Sequence, residues 1–300
     1  MKNIYGTIGY TFFFSNESPN FILVLSDMHS KLDYCDNFID ISEWIKNNMY
    51  NINILLEEVS REDFVLDELW KSSDHTQKLK NLFLENKSLI HDIDIRPYLI
   101  PFSWELLENW ELLENRELLE NKDLLKLKIN LKMKFYLEKI NEFLYFKLNK
   151  IRKKLPNVYN RNFVKNHKLN IQLNIIKIIF KNFINNNILF MNLDIINIYK
   201  NHKNILIELN LILDNCMEWF TIAKLYELTF TNNNNIIIHT GLFHSERIIS
   251  VLQDIYNYRI INQSGINTID NAEDNKYFNG CITLPNSIEE KINYKIKNIT

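Results

Sequence analysis

The sequence predicts an α/β fold, a mostly parallel sheet flanked by helices with a long all-helical insertion in the middle. Three observations predict it. Strand-length apolar runs fall near both ends of the chain, at 21–25, 52–56, 89–95 and 236–238. Helix-period patterns follow several of them, as in chains that build parallel sheets. Between the two groups lies a long stretch with helical patterning only. Residues 1–102 and 232–300 then form the two halves of the α/β core, and residues 103–231 the insertion.

The aromatic and β-branched run at 10–14 reads as a first strand, and 15–20, with Pro19 inside it, as a turn. Residues 21–25 (FILVL) are continuously apolar, as in a strand covered on both faces. Ser26-Asp27-Met28-His29-Ser30 follows. Leu32, Cys35, Phe38, Ile39 and Ile45 then recur at spacings of 3, 4 and 7, which predicts a helix over 32–45. The run at 52–56 (INILL) ends in Glu57-Glu58, and the run at 89–95 (LIHDIDI) ends at Arg96-Pro97. Pro97 and Pro101 stop it.

The middle opens with a six-residue repeat, Trp-Glu-Leu-Leu-Glu-Asn, at 104–109 and 110–115 and with one change at 116–121. Six residues advance a helix by about 600°, so the Leu pairs spiral around it and make no coiled-coil seam. The basic stretch 126–168 carries Phe135, Tyr136, Phe143, Tyr145 and Phe146. It reads as an amphipathic helix with solvated lysines and a buried aromatic face. Ile205, Leu209, Ile212, Cys216, Phe220 and Ala223 share one face of a strong helix over 205–230. Near the C-terminus, 232–235 is a loop, 236–238 a short strand and 239–245 a turn. A helix from about Glu246 follows, with Ile248, Ile249 and Leu252 on one face, and residues 280–284 form a last strand.

Composition narrows the function classes. Hydrophobic residues make up 46% of the chain, enough to bury a large core. Thirty-five basic against 37 acidic side chains argue against a nucleic-acid binder. Three cysteines, an odd count, give no disulfide framework and suit a reducing compartment, with Cys35 and Cys216 read as core residues. With neither a span-length apolar run nor a leader-like start, the expected setting is cytoplasmic, without a membrane span. The abundance of Asn and Ile suits the AT-rich genome of a large DNA virus or a protist, so the cytoplasm would be the host's if the chain is viral.

Polar residues of a chemically coherent kind stand where the strands end. The first long run is followed by Asp27 and His29, the second by Glu57 and Glu58, the third by Arg96, and the last by His239, His244 and Glu246. In parallel α/β sheets, ligands bind at the carboxyl ends of the strands. Imidazole and carboxylate together suit a divalent ion of the Zn, Mn or Co class, which acidifies bound water. A carboxylate nearby accepts a proton, and an arginine steadies an oxyanion. Each has a structural alternative: His29 and His244 as helix caps, His239 as a core histidine, Glu58 as an ordinary surface or pairing residue, Arg96 as a partner of Glu57. His75, His91, His167 and His202 stand in polar surroundings and read as bystanders. No phosphate-loop, dinucleotide-binding or Cys-x-x-Cys motif is present.

These motifs resemble those of the superfamily that joins erythromycin esterases, ChaN-like haem-binding lipoproteins and TraB/Tiki proteins. Ser26-Asp27-Met28-His29 stands for its Gly-Glu-x-His, with Ser26 in place of Gly and Asp27 in place of Glu. A second strand ends at Glu57, Arg61 follows, and Gly241-Leu242-Phe243-His244 matches Gly-x-x-His after a strand. The similarity spans residues 20–100 and 232–258. It implies a metal-dependent hydrolase of an ester or amide bond, acting on a small molecule or peptide. The metal ligands would be His29, Glu57 and His244, the catalytic groups Glu57, Arg96 and Asp27, and the supporting residues His239, Glu58, Glu246 and Arg61. The competing reading is a catalytically degenerate relative that binds a partner through its basic helical insertion.

Overall fold

A computed structural model describes residues 3–15, 18–28, 32–48, 52–58, 78–79, 81–82, 89–100, 107, 128–154, 162–232, 235–274 and 280–297. The chain divides into two compact units, one of residues 1–61, 72–93 and 224–300, the other of residues 62–71 and 94–223.

The first unit is α/β. Its larger sheet holds β2 (Gly9–Ser15), β3 (Ser18–Asp27), β5 (Ile52–Leu56), β6 (Ile90–Asp92), β7 (Asn235–Gly241) and β8 (Arg259–Gly265), in the order β6-β5-β7-β3-β2-β8. The four strands β6, β5, β7 and β3 run parallel, and β2 and β8 add an antiparallel side. The apolar runs explain the centre. Every residue of β5 and β7 is buried, as continuous Ile and Leu strands must be when both faces are covered. One face presents Tyr10, Phe12, Leu23, Leu25, Ile54, Leu56 and Ile237 to Ile41, Trp44 and Ile45 of the helix Ile41–Asn48 and to Ile288 and Ile292 of the helix Asn286–Lys297. Each such side chain contributes about 1.5–3 kcal/mol on full burial. The helix Leu242–Ser250 packs against β3 and β7.

A smaller sheet joins β1 (Asn3–Tyr5), β4 (Phe38–Asp40) and β9 (Cys281–Ile282) in the order β4-β1-β9. It corrects the helix expected over 32–45. Asn37 has φ 52°, a left-handed conformation that breaks a helix, and residues 38–40 pair in parallel with β1. Asp40 then starts the real helix, accepting hydrogen bonds from Ser42 N at 3.0 Å and Ser42 Oγ at 2.6 Å. Cys35 is no core thiol. It forms a disulfide with Cys281, contrary to the expectation of free cysteines, whereas Cys216 is buried and free as read.

Three other expectations shift. The strand expected over 89–95 is only Ile90–Asp92, although Ile93 N still donates to Leu56 O at 2.9 Å. His239, Thr240 and Gly241, expected in a turn, continue β7, and the following helix begins at Leu242. Apolar periodicity also fails to mark β1, β4 and β8, the last of which is exposed along most of its length.

The described elements of the second unit are helices, among them Arg96–Leu99, Met133–Glu142, Leu148–Lys154, Asn162–Asn186 and Ile195–Asn201. The helix Lys203–Asn232 contains the expected 205–230. In the basic stretch, Met133, Tyr136, Leu137 and Ile140 are buried, but Phe135, Tyr145 and Phe146 are exposed. A π-helical turn at Phe143–Lys147 lengthens the repeat by one residue and hands the buried face to Leu144 and Leu148. Apart from Leu107, the six-residue repeat lies outside the described residues. Among the described residues, no helix is long and apolar enough to cross a membrane.

Candidate active site

The sheet order brings the carboxyl ends of β5, β7 and β3 side by side, with β7 in the centre. Just past β5, Glu57 N donates to His239 O at 3.0 Å, which extends the ladder by one residue. The Glu57 carboxylate is buried, and Gly241 N donates to its Oε2 at 2.8 Å. Its Oε1 lies 3.5 Å from His244 Nε2. Two residues 187 positions apart by number are thus brought together in the interior. His244 sits in the first turn of the helix Leu242–Ser250, inside the helix and not before it. The Phe243 ring meets its imidazole edge-on at 5.3 Å between centroids.

Hydroxyls line the same side. Ser245 Oγ donates to Ser26 Oγ at 2.9 Å and reaches Leu242 O at 3.0 Å. Thr240 pairs in register with Ser26, and its Oγ1 is buried without a hydrogen-bond partner among the described residues. Ser26 stands in extended strand beside Gly9 and Thr240, a backbone any residue adopts, so its Cβ needs no glycine-like turn.

Alternation along the strands splits the remaining residues. His239 lies opposite Leu25 and Leu56, which face the main core, and Asp27 follows Leu25 by two. His239 and Asp27 therefore belong to that face, and Glu57 to the other. His239 Nε2 meets Gly6 O at 3.2 Å, and Asp27 is fully buried. Glu58, with a surface position as one reading, is buried as well. Glu246 Oε2 accepts Ile269 N at 2.9 Å and so holds the start of the next helix. Arg96 belongs to the second unit. Its guanidinium meets Asp94 at 2.8 Å and Asp214 at 2.9 Å, two buried carboxylates that neutralise it there. His29 and Arg61 lie outside the described residues, as does His75.

The chain matches no family model, no curated protein and no solved structure.

The site therefore stands on its geometry. Among the described residues, no three His, Cys, Asp or Glu side chains are disposed to hold a metal ion. The face alternation explains this, since it sets Asp27 and His239 apart from Glu57 and His244. Of the three ligands that the sequence motifs imply, two are described and in contact, and the third is His29. Sequence reasoning missed the Ser26–Ser245 pair, the Thr240 hydroxyl and the Gly241 N–H. Single Ser and Thr residues, whether in a strand or in a helix as Ser245 is, carry no periodic signal, and a backbone donor has no residue type.

Of the histidines read as bystanders, His91 is half-buried. Its Nε2 lies 3.0 Å from Asn53 Oδ1, and burial, with Lys224 nearby, lowers its pKa to about 4.

Proposed function

We propose that the chain hydrolyses an ester or amide bond with an activated water, at the carboxyl ends of β5 and β7. The observation that carries this is the Glu57 carboxylate, buried between Gly241 N–H and the His244 ring. A carboxylate taken out of water holds a proton more readily than an exposed one, which suits it to accept one from a bound water. Glu57 takes the water's proton, and His244 fixes the carboxylate rotamer and passes the proton to the leaving group. The Thr240 hydroxyl, without a hydrogen-bond partner among the described residues, offers a donor to a bound water. A divalent ion, if bound, would be held by His29, Glu57 and His244 and would acidify that water.

The test is metal content and esterase activity of purified full-length protein, His29→Ala and His244→Ala. The expected result is stoichiometric Zn, Mn or Co in the parent, with both metal and activity lost in each variant. Metal retained unchanged in both variants would overturn the metal-dependent form of the reading.

A second reading, a binding protein acting through residues 103–231 as a helical insertion, has one observation in its favour. On the helix Asn162–Asn186, Ile171, Ile175, Ile178 and Ile179 are exposed opposite the buried Leu169, Leu173, Ile176 and Phe180. It predicts no stoichiometric metal and a partner that Ile175→Lys with Ile178→Lys releases. The compartment reading stays cytoplasmic only if the Cys35–Cys281 bridge is reduced there, because cytosolic thiols are kept reduced.

A further inference from the structure

A cavity of about 490 Å³ opens between the helix Leu242–Ser250, the π-helical turn Val251–Ile255, β8 and the loop after it. Its volume falls in the range of about 300–1,000 Å³ usual for small-molecule sites. The lining chemistry is selective. Ser250, Gln253, Gln263, Ser264, Thr268 and Asn271 supply amides and hydroxyls. Among the described residues no Lys or Arg lines it, so phosphate and carboxylate ligands find no counter-charge from them. The one carboxylate among the described lining residues is that of Glu246, and one of its oxygens is taken by Ile269 N–H, which leaves little to hold a cation. Among the described residues no aromatic ring lines it either, but Ile249 and Ile260 offer a small apolar patch.

The back wall is hydrogen-bonded in place. Asn267, a buried amide, donates from Nδ2 to Ser264 O at 3.0 Å and Gly265 O at 3.3 Å. Its Oδ1 accepts from Thr11 Oγ1 at 3.3 Å and Ser26 Oγ at 3.5 Å. By contrast, the side chains of Gln253, Gln263 and Ser264 make no hydrogen bond to other described residues and stand open to the cavity.

We propose that this cavity binds a neutral sugar of one or two rings. Such a ligand needs donors and acceptors in equal measure, no net charge and a modest apolar surface for its C–H face, and the lining supplies these together. The proposal goes beyond hydrolysis and does not rest on it, although the helix that forms one wall also carries His244.

The experiment is saturation-transfer NMR on the full chain with maltose, cellobiose, N,N′-diacetylchitobiose and glucose, beside glucose 6-phosphate as the charged comparison. At least one neutral sugar is expected to bind with a Kd of about 1 mM or tighter. Gln253→Leu and Gln263→Leu should each weaken it about tenfold, a loss of one hydrogen-bonding group. Ser264→Trp, which fills the cavity, should abolish it. All three positions are exposed, so an unchanged melting temperature accompanies these effects. Absence of binding by every neutral sugar at about 10 mM overturns the proposal. So does tighter binding of glucose 6-phosphate, or binding by all three variants equal to that of the parent.

Discussion

Glu57 is held in the interior by an amide N–H and an imidazole, with β5, β7 and the helix after β7 each supplying one part of its setting. Two substitutions separate its chemical and structural roles. Glu57→Gln keeps an oxygen for Gly241 N–H but cannot take a proton, so hydrolysis should fall by about 10²–10⁴ with little change in stability. Glu57→Leu strands the buried Gly241 N–H and should cost a further ~1–3 kcal/mol of stability. Rate measurements and denaturant titrations on both variants check this. An active Glu57→Gln would remove the carboxylate from the reaction. His91 gives a pH prediction. Its pKa is about 4 in the folded chain, below the ordinary 6.5, so the unfolded state binds its proton first as pH falls. The folded state therefore loses stability progressively from about pH 6.5 down to 4. For a half-buried ring the loss is about 1–2 kcal/mol after solvent screening. Denaturant titrations at pH 7 and pH 5 should show it in the parent and not in His91→Gln.

Individual elements were legible where one physical signal dominated. The runs at 21–25, 52–56 and 236–238 are central strands because Ile, Leu and Val without polar interruption must be buried on both faces. Edges gave no such signal: β8 reads RIINQSG, and its place depends on β2. The expected helix over 32–45 failed because Leu32, Phe38 and Ile45 repeat at helical spacing by accident of a strand-to-helix switch at Asp40. The His239–Ser245 segment was located but its phase was wrong, since strand and helix meet at Gly241 without an intervening turn. At the site, Glu57 and His244 were readable as polar strand ends, but the face each occupies depends on register, which one sequence does not display. The β2–β8 junction supplies a prediction at this scale. A Cβ on Gly9 would stand 2.0 Å from Ile266 O, and Gly265 opposite it has φ +75°. Backbone cannot yield there as a side-chain tip can, so Gly9→Ala should destabilise the chain by about 1–3 kcal/mol. A melting temperature equal to the parent's would show that the two strands meet differently.

Across the first unit as a whole, the Cys35–Cys281 bridge spans 246 positions. It ties the segment before β4 to β9, the outer strands of a sheet whose pairings are short: three residues between β1 and β4 and two between β1 and β9. Neither pairing is long enough to hold that sheet by hydrogen bonds alone. Around the bridge, Gly280 N donates to Asp33 O at 3.1 Å, Gly6 N donates to Gly280 O at 2.8 Å, and Tyr5 Oη donates to Leu32 O at 3.2 Å. Gly6 O in turn meets His239 on β7, so the small sheet is joined to the central strand of the large one. A spacing of this size carries no pairing information in a sequence with three cysteines, and only the fold brings the two together. Closing so long a loop restricts the unfolded chain strongly, and losing it should cost about 2–5 kcal/mol. The expected outcome is a lower melting temperature for Cys35→Ser, for Cys281→Ser and for dithiothreitol-treated parent, all by the same amount. The double variant should add nothing to either single one, because one bond is removed in every case. Additive losses would mean that the two sulfurs act separately, and an unshifted parent in dithiothreitol would mean that the small sheet holds without the bridge.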